Sequence, residues 1–259
     1  MPYCSRSIRP ARARNSLVTS IDVLKLSTAI LVVLPLLLCA EVRAQKRRPP
    51  GGGRGAAVVV DERLAALRDA PDFSANLLQR MSRGRTVSVL GARRGSDGVV
   101  FYRVGVTRRT SGWVQSEAVV RAAGGGDDAR LLRLVKGSAG FDRVERACLF
   151  LETFPRSPLR PAVLLLLGEA AEEEAATLTR GAVRRLDARE MAAGGAPVHT
   201  YFLNYNGLDR FTRRGVRFRF DPAAKRFLYD GAAWREILRR HPRSPEAAEA
   251  RKRFGVMKK

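Results

Sequence analysis

From Ala57 onward the apolar residues come in short runs separated by turn-forming residues. Val58–Val60, Leu77–Met81, Thr86–Leu90, Val99–Val104 and Gly112–Val114 are broken at Asp69-Ala70-Pro71, Arg83-Gly84, Gly91–Gly98 and Thr107–Ser111. Val87 and Val89 alternate with Thr86 and Ser88, the period of a half-buried strand. Strands this short and this regularly spaced predict a small all-β barrel or compact sandwich over residues 57–121. After Asp128 the period changes. Leu131, Leu132 and Val135 share one helical face of Ala129–Lys136, and Val144, Ala147, Cys148, Leu151 and Phe154 recur at spacings of three and four within Phe141–Phe154. Ala-rich helices are expected at Val163–Ala176 and Glu246–Arg253. The pattern therefore predicts a multidomain α+β chain, all-β first and α-helical from 129 to 255.

One stretch inside the helical part breaks its rhythm. Val216-Arg217-Phe218-Arg219-Phe220 alternates strictly, Asp221-Pro222 follows, and Arg226–Tyr229 is again strand-like, so a β-hairpin with its turn near Asp221–Lys225 is expected in an insertion at about 197–230. Val216, Phe218 and Phe220 would share one face, and Arg217 and Arg219 the other. Two uses are open: packing of the aromatics on the helices, or stacking of single-stranded nucleic acid with phosphates on the arginines.

The N-terminus has a different signature. Arg6, Arg9, Arg12, Arg14 and Lys25 precede Leu26–Ala40, which is uncharged and almost wholly apolar. Fifteen helical residues span about 22 Å, short of the roughly 30 Å hydrocarbon core, so residues 1–44 are expected to be a signal peptide cleaved after Ala44. Lys46, Arg47 and Arg48 follow the apolar run, where positive charge resists translocation, and keep an uncleaved membrane anchor open. The Pro/Gly-rich run at 45–56 is expected to be a linker. So is 122–128, where a glycine run gives way to Asp127-Asp128, a pair suited to a helix start.

Composition sharpens this picture only in part. The net charge is +23; residues 1–44 carry +4 of it, so their loss would leave +19. A field of that sign favours polyanions such as acidic wall polymer, anionic lipid or nucleic acid, without choosing among them. Arginine supplies 41 of the 48 basic residues, which genome composition could also explain. Beyond the leader Cys148 is the one cysteine, at an apolar helical position, so no internal disulfide framework exists there. His199 and His241 form no metal-type spacing with Cys, Asp or Glu, and the glycine runs lack the Lys-Ser/Thr of a phosphate loop. Glu172-Glu173-Glu174 reads as a solvated helical face. No cofactor, metal or catalytic residue is expected, and the chain is not expected to be an enzyme.

Four pieces of the first region carry a family pattern. They are Arg68-Asp69-Ala70-Pro71; Met81-Ser82-Arg83-Gly84-Arg85-Thr86-Val87-Ser88-Val89-Leu90; Phe101-Tyr102-Arg103-Val104; and Gly112-Trp113-Val114. In order and spacing this stretch resembles the bacterial SH3 (SH3b) domain family, with Ala70, Leu67 and Phe101 standing where the family commonly has Gly, Val and Trp. The resemblance implies an SH3-like barrel and a module that binds cell-wall peptide or glycan, or protein, outside the cytoplasm. The residues expected to carry ligand are Arg68, Asp69, Tyr102 and Trp113, with Tyr102 as a groove wall. Phe101 and Trp113 are also open to a plain core role.

An internal repeat marks the helical region. Phe150–Pro158 corresponds to Ile237–Pro245, each copy ending a helix at Pro and offering Ser as N-cap and Pro at the first helical position of the next. The pattern resembles tetratricopeptide-like (TPR-like) helical pairs and implies binding of a protein partner. Together these readings predict a secreted or periplasmic, non-enzymatic binding protein. Its expected partners are peptidoglycan or an envelope protein on the barrel, and a protein on the helices. A structural scaffold anchored at the inner membrane and a charge-driven polyanion binder are the alternatives; nucleic acid is not the expected ligand.

Overall fold

A computed structural model of the chain describes residues 55–257, so the expected leader and nearly all of the run at 45–56 lie outside the described residues. The described part belongs to one compact unit of mixed α and β structure. Its first half is a seven-stranded antiparallel sheet: β1 (Ala56–Val59), β2 (Ala66–Arg68), β3 (Leu77–Arg80), β4 (Thr86–Arg94), β5 (Val100–Gly105), β6 (Ser111–Gln115) and β7 (Val119–Arg121), in the order β3-β2-β6-β5-β4-β1-β7. Val59, Leu67, Met81, Val87, Val104, Val114 and Val119 are buried on one side of it. All five expected strands are present, with ends shifted by a few residues. β2 and β7 join them, each only three residues long and too short to stand out as an apolar run.

Two glycines explain where the strand pattern departs from expectation. Gly91 does not end β4, because the register of β4 against β5 shifts between Val89 and Gly91 and the strand continues to Arg94 through that irregularity. Gly112 permits the close approach of β6 to β2: a Cβ on it would lie 2.6 Å from the Arg68 carbonyl oxygen.

The second half is built on helices α1 (Asp127–Lys136), α2 (Gly140–Thr153) and α3 (Arg160–Arg185), then the short α4 (Ala188–Gly194), α5 (Val198–Leu203) and α6 (Asp209–Arg213). The hairpin β8 (Phe218–Asp221) and β9 (Arg226–Tyr229) follows, and α7 (Ala232–Arg240) and α8 (Glu246–Met257) close the fold. The long α3 is the axis, touching α2, β9, α7 and α8. Trp234 of α7 is fully buried against Gly168 of α3, where a Cβ would meet the indole at 2.2 Å. The acidic run on α3 is not a solvated face: only Glu173 is exposed. Glu172 pairs with Arg253 at 3.0 Å and Glu174 is buried and pairs with Arg210 at 3.2 Å, burial pushing both carboxyls up.

The internal repeat has a backbone counterpart. Around the first turn Phe154 N–H donates to Phe150 O, Ser157 N–H to Phe154 O, and Arg160 N–H to Ser157 O; His241 to Ile237, Ser244 to His241 and Ala247 to Ser244 repeat the set. One detail differs from expectation. α3 starts at Arg160 with Pro161 in its first turn, so Ser157-Pro158 belongs to the turn and Ser157 does not cap the helix; its hydroxyl accepts from Leu159 N–H at 3.2 Å and donates to Asp128 at 2.7 Å.

Sheet and helices share a seam. Val60 and Val120 lie in the same apolar core as α1, α2 and α3. Buried Arg146 of α2 donates to Val60 O at 3.4 Å and to the Ser138 hydroxyl, and its guanidinium lies 3.8 Å from buried Asp61. Arg83, before β4, donates to Asp142 and Glu145 at 2.8 Å each, and Arg214 donates to the same Glu145. In the run expected as a linker at 122–128, residues 122–126 form a turn, and Asp127, the first residue of α1, accepts from Arg121 N–H at 2.8 Å.

Candidate functional site on the outer face of the sheet

Cross-strand register decides which side chains can act together, because residues directly opposite in an antiparallel pair project to the same face. Trp113 lies opposite Arg68 on one side and Arg103 on the other, and Phe101 lies opposite Gln115 and Arg93. One face therefore carries the row Arg68–Trp113–Arg103 beside the row Gln115–Phe101–Arg93. A pocket of about 180 Å³ opens on it, lined by Arg63, Arg68, Phe73, Arg80, Phe101 and Gln115 among others. Trp113 is half-buried, while Arg80, Arg93 and Arg103 are exposed and make no side-chain hydrogen bond or ion pair among the described residues. A half-sunk indole between Arg103, unpaired among the described residues, and Arg68, which keeps free donors, suits a ligand with both a flat ring and anionic groups.

The four residues expected to bind do not form one site. Arg68 and Trp113 share the face, with Asp69 beside them at the corner. Tyr102 lies opposite Val114, whose side chain is in the core, so it projects to the other side; there it packs on the core and carries the Arg121 guanidinium 5.2 Å above its ring. The expected groove wall is instead part of the support for β7. Phe101 is 1% exposed, the core role held open for it, and the rim of Phe73 meets it at 5.4 Å between ring centres.

Arg68 and Asp69 have structural duties. The Arg68 guanidinium donates to Ala75 O at 2.6 Å, and Asp69 accepts from Asn76 N–H at 3.0 Å and from its amide at 2.8 Å. Asp72 accepts from Ser74 and Ser96, and these bonds, the Ser74 hydroxyl first, hold its carboxyl down at about 2. The loop between β2 and β3 is thus braced from three sides, which sets Phe73 over Phe101. Arg68 keeps further donors for a ligand, since guanidinium offers five. Arg80, Arg93, Arg103 and Phe73 were not singled out by the sequence; the alternation of Arg103 with Phe101 was the one signal for them.

Other places offer less. A cleft of about 890 Å³ lies between α3, the hairpin and Val256, with Phe220 and Phe227 in its lining, but its charges meet one another: Arg226 with Asp221 at 3.8 Å and Arg253 with Glu172 at 3.0 Å. Cys148 is buried and its thiol is pushed up to about 12, chiefly by burial, so the thiolate is not formed near neutrality. Among the described residues no group of three or more His, Cys, Asp or Glu could hold a metal ion, and no helix is long and apolar enough to cross a membrane. Compared with known proteins, the chain matches no family model, no curated protein and no solved structure.

Proposed function

We propose that the chain is a non-enzymatic binding protein of the cell envelope, an SH3b-like barrel joined to a TPR-like helical region, and that the barrel binds peptidoglycan through the row Arg68–Trp113–Arg103. The observation that carries the reading is that row: an indole able to stack a sugar ring, between two guanidinium groups able to take the carboxylates of a wall peptide in paired hydrogen bonds. The expected leader would take the protein out of the cytoplasm to meet such a ligand, and the helical region would hold a protein partner.

Retention of the purified protein on isolated peptidoglycan at moderate salt tests this. Trp113→Ala and Arg103→Ala should each reduce retention about tenfold. No retention, or retention indifferent to Trp113→Ala and steeply salt-dependent, would leave the charge-driven polyanion reading in its place.

A further inference from the structure

Among the described residues the strand at one end of the sheet has no neighbour on its outer side: β3 pairs with β2 alone. Met81 N–H donates to Ala65 O, which makes Ala65 and Met81 a bonded pair; by the alternation of antiparallel ladders Arg80, opposite Ala66, turns its N–H and C=O outward. Edge strands of this kind are ordinarily protected by charge, proline or a covering element. Here Arg80 is the one charge on the strand, and beside it Leu77 and Leu78 are each 48% exposed and Phe73, just before them, is 49% exposed. Gln79, on the same strand, has a buried amide nitrogen with no hydrogen-bond partner among the described residues.

We propose that β3 is a docking edge for an extended segment of a partner protein, which adds a strand beside it and carries acidic side chains at alternate positions. Its main chain pairs with the outward N–H and C=O groups of β3, the methylene stems of its acidic side chains lie over Leu77 and Leu78, and their carboxylates reach Arg80 and the Arg63–Arg68 pocket on the same face. Charge selects this occupant over a second copy of the chain: two β3 edges brought together would set Arg63, Arg68 and Arg80 of one molecule near those of the other, in a protein already at +23. Arg68 is common to the two sites, but this proposal rests on the β3 edge, Leu77, Leu78 and Arg80, none of which the wall-binding row uses, so it stands or falls separately.

A fluorescent peptide, Thr-Val-Glu-Val-Glu-Val-Glu-Thr, titrated into the purified full chain by anisotropy tests it, alongside the same peptide N-methylated at alternate residues on one edge or the other. The unmodified peptide should bind, one of the N-methylated forms should bind at least tenfold more weakly, and the double variant Leu77→Thr, Leu78→Thr should lose about tenfold while peptidoglycan retention stays unchanged. Replacing Glu by Lys throughout the peptide should abolish binding. Equal affinity for all N-methylated forms would show attraction by charge alone and overturn the proposal, as would no binding by any peptide. Self-association in sedimentation equilibrium that the leucine variant abolishes would overturn it in favour of a second copy. The N-methylated peptides act on the unaltered protein, so the outcome survives any folding defect of the variants.

Discussion

Two surfaces of this molecule are written in the same letters, arginine alternating with aromatic residues, and they end differently. In the hairpin Phe220 stacks on Phe202 with ring centres 4.3 Å apart and Phe218 meets Phe211 edge-on at 5.2 Å, so the rings are consumed by α5 and α6. On the sheet face Trp113 stays half-exposed and its flanking Arg103 is unpaired among the described residues. Alternation fixes which residues share a face. Whether that face becomes core or surface depends on what the chain lays over it. The hairpin is followed and preceded at short range by helices that can fold back on it, whereas among the described residues the outer face of β6, β5 and β4 is met by loops, at Arg63 and Leu64 beside the pocket and at Phe73 over Phe101.

The largest test of this contrast is thermodynamic. Phe211→Ala should cost about 3–5 kcal/mol in urea unfolding, because Phe211 is fully buried between Phe141 and Phe218. A cost under about 1 kcal/mol would mean the hairpin rings are not core after all. Trp113→Ala, removing a half-buried ring, should cost only about 1–2 kcal/mol while reducing wall retention far more than Phe211→Ala does.

Paired and unpaired arginines should separate by pH. The hydrogen bond from Arg83 lowers the Asp142 carboxyl below its ordinary value of 3.8, and that from Arg63 does the same for Asp61. Groups lowered in this way add stability that is fully present above the unfolded value and lost as pH falls through the folded one. Stability should therefore drop as the pH is taken below about 4, and Arg83→Gln should flatten that drop by removing the Asp142 share. Arg103→Gln should leave the curve unchanged in shape. The smallest effect expected is on stability itself for Arg103→Ala, within about 0.5 kcal/mol of the parent, with the loss confined to ligand retention.

Much of the fold was legible because it rests on local periods. The strands at Thr86–Arg94 and Val100–Gly105, the amphipathic α2 and the hairpin register all follow from alternation or three-and-four spacing. The site was less so. Placing Tyr102 with Trp113, eleven residues apart in sequence, needed the pairing of β5 with β6, which no local period encodes, and the pairing puts Val114, not Trp113, opposite Tyr102. The acidic run of α3 failed for a similar reason: Arg210 and Arg253, its partners, come from distant parts of the chain. Arg68 and Asp69 were found for their motif, yet the bonds they make to Ala75 and Asn76 show a loop being held in shape.

The seam through Val60, Val120 and Arg146 has a geometric meaning for anything the protein holds. With a common core across it and a tight turn in place of a free tether, the outer edge of β3 and the distal end of α3, a helix of 26 residues and about 39 Å, are parts of a single rule. Two molecules gripped at its ends would be kept at a set spacing and angle, like marks on a gauge, and a pull on one would reach the other without slack.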